Sequence, residues 1–345
     1  MVPIISVIIP VYNGQIYLER TITAIQSQTF QDFEVIFVDD ASTDSSLPIL
    51  EQACVTDDRF SILRQNHSGA GVARNRGLSA AKGEYVLFSD CDDIYKPDFL
   101  EKMYNKIEST SADISVCGFK RIDAKSKKVL SKEMKYSSDR IIDMNKNPEE
   151  VISVNTALWN KIYKATVLKE LNDIENPPRI LEDMMFLSIV YLKAQKITFV
   201  EEYLYNYMVI EGSAMNTLKE NDIKSIENSM LEVKKIYIKN NASCEKMEIL
   251  SSIAFLHLGI SLILRIFQNE KEKFNVEYSN ILKYLDDNFS QWRKTKYLNL
   301  IYNIKNRFVN GKVAIVKKMY VLHLMKPFLN VYQFITSVLK IDIKW

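Results

Sequence analysis

Four short apolar runs alternate with segments of helical periodicity over residues 1–90, and this alternation constrains the fold more than any other feature. The runs span residues 4–11, 34–38, 60–63 and 84–87. Each is nearly continuous and rich in β-branched or aromatic residues, which is typical of strands covered on both faces. Strands that alternate with helices predict an α/β fold, with a parallel sheet and helices on both of its sides.

Polar side chains follow three of these strands at the point where each strand ends. Tyr12 and Asn13 follow the first strand, Asp39 and Asp40 follow the second, and residues 90–93 follow the fourth. The carboxyl ends of parallel strands meet at one edge of a sheet, where the ligand crevice of such folds lies. The sequence therefore predicts one polar site built from all three clusters.

Three carboxylates crowd into the last of these clusters, at Asp90, Asp92 and Asp93. Such neighbours repel one another, and the arrangement becomes favourable when a hard divalent cation such as Mg²⁺ or Mn²⁺ lies among them. Mg²⁺ is usually held by one or two carboxylates plus substrate phosphates. The cluster indicates a handle for a nucleotide diphosphate, and a solvated acidic turn is the alternative interpretation.

The length of 345 residues predicts about two domains. We expect an α/β domain over residues 1–214 and a helical domain over residues 215–345. Apolar side chains recur at helical spacing in two parts of the second domain. They are Ile253, Leu256, Ile260, Ile263 and Leu264, and then Val313, Val316, Tyr320 and Leu324.

The charge is unevenly distributed. Residues 291–345 hold eleven Lys or Arg and one Asp, so this part carries +10 and the rest of the chain −8. Its lysines alternate with aromatic and aliphatic residues, which fits a segment lying on an anionic membrane surface. Packing against protein, including a second copy in a homodimer, is the alternative. No uninterrupted apolar stretch of 18 residues occurs, which argues against a transmembrane helix.

Four cysteines without paired spacing predict neither a disulfide framework nor a zinc site, and free thiols fit a reducing compartment. Residues 1–10 are apolar but lack a basic leader, so we interpret them as a first strand rather than a signal peptide. A Gly-x-Gly at Gly69 and Gly71 follows the third strand and has Arg74 where a third small residue belongs. This disfavours a dinucleotide-binding dehydrogenase.

Four segments together resemble the bacterial family 2 glycosyltransferases with the GT-A (Rossmann-like) fold. They are residues 6–13, 38–44, 71–78 and 83–93, in the order of the family. The resemblance implies a mostly parallel sheet flanked by helices, followed by a C-terminal helical domain. It also implies roles for residues of the first 95 positions. Pro10 and Tyr12, with Asn13, would line the nucleotide pocket, Asp39 would bond the base, Arg74 would help to hold it, and Asp90 would meet the ribose or sugar.

The same resemblance implies that Asp92 binds Mn²⁺ or Mg²⁺ on the diphosphate, with Asp90 as a second metal contact and Asp93 in support. Some members add a late histidine to the metal, but no histidine follows Asp183 at a suitable distance here. Ser213 would instead contact phosphate, with water completing the metal shell.

Two later pieces resemble the family with less specific motifs. Trp159 and Lys161 match an element whose aromatic face supports the acceptor, although a tryptophan alone is commonly a core residue. Glu182 and Asp183 match the motif that supplies the catalytic base, although an acidic pair also simply favours a helix N-terminus. By this resemblance Asp183 is the base.

Together these features predict a metal-dependent, inverting glycosyltransferase of the hexosyltransferase type. It would move a sugar from a nucleotide sugar, most simply a UDP-sugar, to a saccharide or lipid-linked saccharide in bacterial surface polysaccharide or glycoconjugate synthesis. A catalytically inactive nucleotide-sugar-binding scaffold and a nucleotidyltransferase are the alternatives. The latter normally has a basic, glycine-rich loop after the first strand. We expect no nucleic-acid partner, and a cytoplasmic protein that is free or peripheral on the inner face of the membrane.

Overall fold

The computed structural model describes residues 2–174, 176–210, 219, 221–300, 302 and 311–339. The chain divides into two compact units. The first comprises Met1–Asn147 and Asn155–Gly212, and the second comprises Pro148–Val154 and Ser213–Trp345. The short segment Pro148–Val154 is therefore enclosed in sequence by the first unit and packs in the second, which the sequence pattern did not predict.

The first unit contains a ten-stranded sheet with the order β3-β2-β1-β4-β9-β6-β10-β5, in which β7 also pairs with β6 and β8 with β10. The strands are β1 Ile5–Val11, β2 Phe33–Asp39, β3 Phe60–Arg64, β4 Tyr85–Phe88, β5 Ile94–Tyr95, β6 Ile114–Asp123, β7 Val129–Glu133, β8 Ile141–Asp143, β9 Lys161–Lys164 and β10 Lys196–Val209.

Strands β1 to β4 form a wholly parallel half of this sheet, as the apolar runs predict. Every residue of β1 and β4 is buried, because helices cover both faces. The remaining half is mixed, since β9 runs antiparallel to both β4 and β6, while β10 is parallel to β6. The predicted α/β architecture, with a central sheet flanked by helices, is confirmed.

The described residues of the first unit form five α-helices: α1 Gln15–Gln26, α2 Ser46–Thr56, α3 Ala70–Ala80, α4 Phe99–Thr110 and α5 Glu182–Lys193. In α1 the apolar side chains of Leu18, Ile22 and Ile25 recur at helical spacing and are buried against the sheet. Helix α5 begins at Glu182, so Glu182 and Asp183 occupy its first turn. The preceding residue, Leu181, has a left-handed backbone with φ 63°, which ends the incoming segment abruptly.

The second unit is helical wherever the structure describes an element of it. Its α-helices are α6 Asp222–Lys239, α7 Cys244–Ala254, α8 Ile263–Asn269, α9 Phe274–Phe289, α10 Gly311–Val321 and α11 Met325–Leu339. A π-helical segment, Phe255–Leu262, joins α7 to α8. Among the described residues, Cys244–Asn269 is one helical stretch with the length and apolarity of a membrane span, and 78% of its most apolar window is buried inside the protein.

One predicted stripe of the second unit is wrong in its last member. Val313, Val316 and Tyr320 are buried along α10, as the spacing predicts, whereas Leu324 is 45% exposed. The reason is that α10 ends at Val321, so Leu324 lies in the turn before α11 rather than one helical turn further along a continuous helix.

Candidate active site

An open pocket lies at the carboxyl ends of β1, β2 and β4, where the sequence predicts a site. Its empty space, open solvent included, is about 580 Å³. Its lining comes from all three predicted clusters, joined by the first residue of α3. The lining residues are Pro10, Val11, Tyr12, Asn13, Gly14, Tyr17, Asp40, Ala70, Asp90, Cys91 and Asp92.

Asn13 ties the loop after β1 to the loop after β2. Its side-chain Oδ1 accepts from Thr43 N at 2.8 Å, and its backbone N donates to Ser42 Oγ at 3.1 Å. The backbone of Asn13 is left-handed, with φ 50°, a conformation that asparagine tolerates better than most residues. This bridge shapes the rim of the pocket beside Tyr12.

The two aspartates after β2 have different surroundings. Asp39 is 4% exposed and accepts from Ser42 N at 3.3 Å. Asp40 lines the pocket, and its carboxylate accepts from Ser68 N at 2.8 Å, Gly69 N at 2.9 Å and the Gln65 amide at 2.7 Å. Asp40 thus fastens the loop that leads into α3, a role that the sequence assigned to neither aspartate.

A histidine that the sequence reasoning did not select completes this side of the pocket. His67 Nδ1 lies 2.9 Å from Asp40 Oδ2, and its ring packs on Tyr12 with centroids 4.2 Å apart. Tyr12 itself is 48% exposed, so its ring remains accessible from the pocket. A half-exposed aromatic ring beside a carboxylate suits a planar, polar group such as a nucleobase.

The acidic cluster divides into two accessible carboxylates and one internal one. Asp90 and Asp92 line the pocket. Asp93 is fully buried and accepts from the Tyr205 hydroxyl at 2.9 Å and from Met208 N at 2.8 Å. Burial, with Asp92 and Asp90 adding to it, raises the pKa of Asp93 well above its usual value. Asp93 therefore supports the cluster from inside by joining it to β10.

Helix α1 holds the backbone of the same cluster. Thr21 Oγ1 donates to the Cys91 carbonyl at 2.7 Å, and the Arg20 guanidinium donates to the carbonyl of Asp92. These bonds fix the main chain and leave the Asp92 carboxylate facing the pocket. Sequence reasoning missed Arg20, although it is the only Lys or Arg before Arg59.

The pocket carboxylates fit a divalent cation that also meets substrate phosphate. Burial and the neighbouring Asp90 raise the pKa of the Asp92 carboxyl to about 6, so a cation at this position would favour its ionised form. Two protein carboxylates leave the remaining positions of a Mg²⁺ or Mn²⁺ ion for phosphate and water. Within the described residues no group of three or more His, Cys, Asp or Glu side chains surrounds a metal position.

Arg74 lies at the centre of a buried charge cluster instead of on the pocket wall. Its Nη2 donates to Asp90 Oδ1 at 2.7 Å, and its Nη1 donates to Glu182 Oε1 at 3.0 Å and lies 3.5 Å from Asp183 Oδ1. Its side chain is only 5% exposed. Although burial lowers it, the pKa of Arg74 is raised by Asp90, Asp183 and Glu182, so the guanidinium stays charged.

The Asp183 carboxyl has the environment of a proton acceptor with an elevated pKa. Burial raises the pKa of Asp183 to about 8, against the opposing effects of Arg74 and Lys161 and with further increases from Glu182 and Asp90. Its Oδ1 is shielded from solvent and accepts no hydrogen bond from the part of the chain that the structure describes. The helix N-terminus alone would favour the ionised carboxylate, but burial outweighs this effect, so the protonated form predominates at neutral pH.

Close packing between α3 and the segment before α5 places these charges together. A Cβ added to Gly71 would lie 2.7 Å from Pro177 Cγ, so only glycine allows this approach. One turn further along, Asn75 Nδ2 donates to the carbonyls of Leu171 and Ile174, at 3.4 and 3.2 Å. Gly71 and Asn75 therefore hold Arg74 against the start of α5.

The predicted acceptor element is internal. Trp159 is 7% exposed and stacks on Tyr205 and Tyr207, with centroid distances of 4.5 and 5.2 Å. Lys161 is fully buried, and its Nζ donates to Asn155 Oδ1 at 2.9 Å and Asn160 Oδ1 at 2.8 Å and to the Ala157 carbonyl. Their roles toward an acceptor stay predictions. Ser213 lies outside the described residues.

Known proteins are similar to this chain in sequence and in architecture. The model of the family "Glycosyl transferase family 2" matches residues 6–170. Glycosyltransferase GlyG of Streptococcus pneumoniae is 32% identical over 224 residues, which cover 63% of this chain and 74% of GlyG. The chain belongs to glycosyl transferase family 2.

Two further similarities concern a longer relative and a solved structure. Glycosyltransferase GlyA of Streptococcus pneumoniae is 31% identical over 237 residues, and the chain spans only about a third of GlyA's length, 34%. The crystal structure of S. aureus TarS 1–349 in complex with UDP-GlcNAc has a TM-score of 0.68 at 22% identity, with 92% of each chain covered. This likeness confirms the predicted GT-A fold.

Proposed function

We propose that the chain transfers a sugar from a UDP-sugar to a saccharide or lipid-linked saccharide acceptor, with inversion at the anomeric carbon. One observation carries this proposal: Arg74 joins Asp90, which lines the pocket, to Glu182 and Asp183 at the start of α5. A donor site and a proton acceptor are thereby held at a fixed separation. The UDP-GlcNAc bound in the crystal structure of TarS supports a uridine donor.

The pocket supplies the donor half of the proposed reaction. Tyr12 presents an accessible ring for the base, with Pro10, Asn13 and Asp39 at the same strand ends. Asp92 and Asp90 would hold Mn²⁺ or Mg²⁺, and the cation would neutralise charge on the departing diphosphate. The chain itself orients these two carboxylates, through the Arg20 and Thr21 contacts to the backbone and the Arg74 contact to Asp90.

Asp183 supplies the acceptor half. We assign it the removal of the proton from the acceptor hydroxyl as that oxygen attacks the anomeric carbon. A diphosphate leaving group needs no proton, so a single base on the opposite face of the sugar is sufficient for direct displacement. Once it is ionised, a carboxylate whose pKa lies near 8 accepts a proton from the hydroxyl more readily than an ordinary aspartate.

Incubation with a panel of UDP-sugars, with and without Mn²⁺ and with and without saccharide acceptors, tests this function. We expect Mn²⁺-dependent release of UDP that increases with a suitable acceptor, and NMR of the product should show the inverted anomeric configuration. Release of pyrophosphate from a nucleoside triphosphate would indicate a nucleotidyltransferase. UDP binding without UDP release across the panel would indicate an inactive scaffold, and a retained configuration would contradict the role of Asp183.

The products most consistent with the family are bacterial surface polysaccharides or glycoconjugates, made at the cytoplasmic side of the membrane. The roles of Trp159, Lys161 and Ser213 belong to the same proposal. A homodimer and contact with a membrane are proposals about the second unit, and they are tested independently of the proposed catalysis.

A further inference from the structure

The turn between α10 and α11 exposes three large aliphatic side chains around one histidine. Val321 is 49% exposed, Leu322 50% and Leu324 45%. Aliphatic residues are ordinarily exposed singly, so a cluster at one turn is a candidate contact surface. We call residues 321–324 the apolar turn.

The apolar turn has a defined backbone. Leu324 N donates to the Met319 carbonyl at 2.8 Å and His323 N to the Tyr320 carbonyl at 3.1 Å, which is the hydrogen-bond pattern of a Schellman helix end. His323 has φ 56°, a left-handed conformation that glycine usually supplies at this position. This hydrogen-bonded end fixes the backbone of the turn, and about half of the Leu322 and Leu324 side chains remains exposed on it.

The apolar surface continues onto both helices. On α10, Ile315 is 46% exposed and shares a face with Leu322 by helical spacing. On α11, Val331 is 58% exposed and follows Leu324 by two helical turns. The opposite side of α10 is firmly packed, since Tyr320 contacts the rings of Phe255 and Trp292.

The ionised side chains of α10, the apolar turn and α11 have one sign. Between Gly311 and Leu339 the sequence contains four lysines and no Asp or Glu. Lys317 is buried, and its Nζ donates to the Thr295 carbonyl and to Asn299 Oδ1, both at 2.9 Å. Lys318 and Lys326 are exposed and flank the apolar turn, with Lys326 also donating to Asn275 Oδ1.

We propose that the apolar turn inserts into the interface of an anionic lipid bilayer, with Lys318 and Lys326 bound to lipid phosphates. Exposed aliphatic groups flanked by cations complement a surface that is negative outside and apolar beneath. A second copy of the chain would bring the same lysines against one another, so charge favours the lipid surface. This site is distinct from the pocket and does not depend on the proposed reaction.

Flotation of the full chain with phosphatidylcholine vesicles, with or without phosphatidylglycerol, tests the proposal. We expect flotation only with the anionic lipid, and less of it at high salt. Leu322→Ser/Leu324→Ser should weaken partitioning by about tenfold or more, because two exposed aliphatic side chains no longer enter the interface. Lys318→Gln/Lys326→Gln should weaken it by roughly tenfold and reduce the salt dependence.

Val55→Ser/Ile238→Ser is the matched control, since these aliphatic residues are 81% and 61% exposed but lie on α2 and α6. It should float like the original chain. Equal loss in the control, or unchanged flotation of the leucine variant, would overturn the proposal. A third result would also overturn it: the original chain does not float, and light scattering shows that the leucine variant has a different oligomeric state. The apolar turn would then be an interface between copies of the chain.

Discussion

The two sides of the candidate active site are assembled in different ways. The proposed donor side comes from loops that directly follow β1, β2 and β4, so short sequence segments place Tyr12, Asp40 and Asp92 together through the sheet alone. The proposed base side depends on contacts between distant parts of the chain: Arg74 and Glu182 are 108 residues apart and meet only because α3 packs against the segment before α5. We therefore expect substitutions to separate donor binding from turnover.

The largest effect on the donor side should come from Asp92→Ala. Loss of this carboxylate leaves the diphosphate charge poorly neutralised, and we expect Mn²⁺-dependent UDP affinity to fall by about a hundredfold or more. Calorimetric titration with UDP in the presence and absence of Mn²⁺ measures the change, with the exposed Asp58→Ala as control. If the variant binds UDP in Mn²⁺ with the affinity of the original chain, Asp92 is not a metal ligand.

Arg74→Met should damage both sides, because it removes the cation that they share. Three carboxylates would be left without their counter-charge, and we expect the free energy of unfolding to fall by about 3–5 kcal/mol at neutral pH. The loss should shrink at acid pH, where the carboxyls are protonated in the variant. Urea unfolding at several pH values measures it, and Arg74→Lys should restore part of the stability. If the loss of unfolding free energy does not vary with pH, the buried charges around Arg74 do not account for it.

Gly71→Ala should affect the base side more than the donor side. Its Cβ would overlap Pro177, and forced separation of this kind destabilises by about 1–3 kcal/mol. We expect turnover to fall while UDP affinity changes little, since the strand-end loops keep their positions. Thermal unfolding and steady-state kinetics measure both effects, with the exposed Ser79→Ala on the same helix as control. A fall in UDP affinity as large as the fall in turnover would show that the substitution does not separate donor binding from turnover.

Over a single pH unit, the smallest effect should be the change in stability that the titration of Asp183 contributes. Its pKa in the folded state, about 8, lies above its ordinary value of 3.8, so the folded protein retains a proton that the unfolded chain releases. The resulting stabilisation is present below pH 4 and is lost as the pH rises to about 8, at up to about 1.4 kcal/mol per pH unit. Asp183→Asn should remove this slope, and parallel urea titrations would show it; an unchanged slope would place the group in water.

The contrast between the two sides also explains what the sequence could predict. The strand ends at Val11, Asp39 and Phe88 follow from apolar runs and turn residues, which are local signals. The start of α5 at Glu182 follows from its acidic first turn and the apolar run after it.

Contacts between distant residues left no comparable signal. The internal role of Asp93 depends on Tyr205, which lies 112 residues away on a strand with two register shifts. Arg74 carries the same charge whether it faces a pocket or three buried carboxylates, so only the packing of α3 determines which partners it contacts. Leu324 satisfies a helical repeat, but the helix ends three residues before it.

We propose that Asp183 acts as the base and contributes little to donor binding, although Arg74 connects it to the donor pocket. Asp183→Asn tests it most directly, by measuring UDP-sugar affinity and kcat on the same preparation. We expect affinity within a factor of about two, and a fall in kcat of roughly 10²- to 10⁴-fold, the usual loss for a general base. Unchanged kcat, or loss of UDP-sugar affinity equal to the loss of kcat, would contradict the claim.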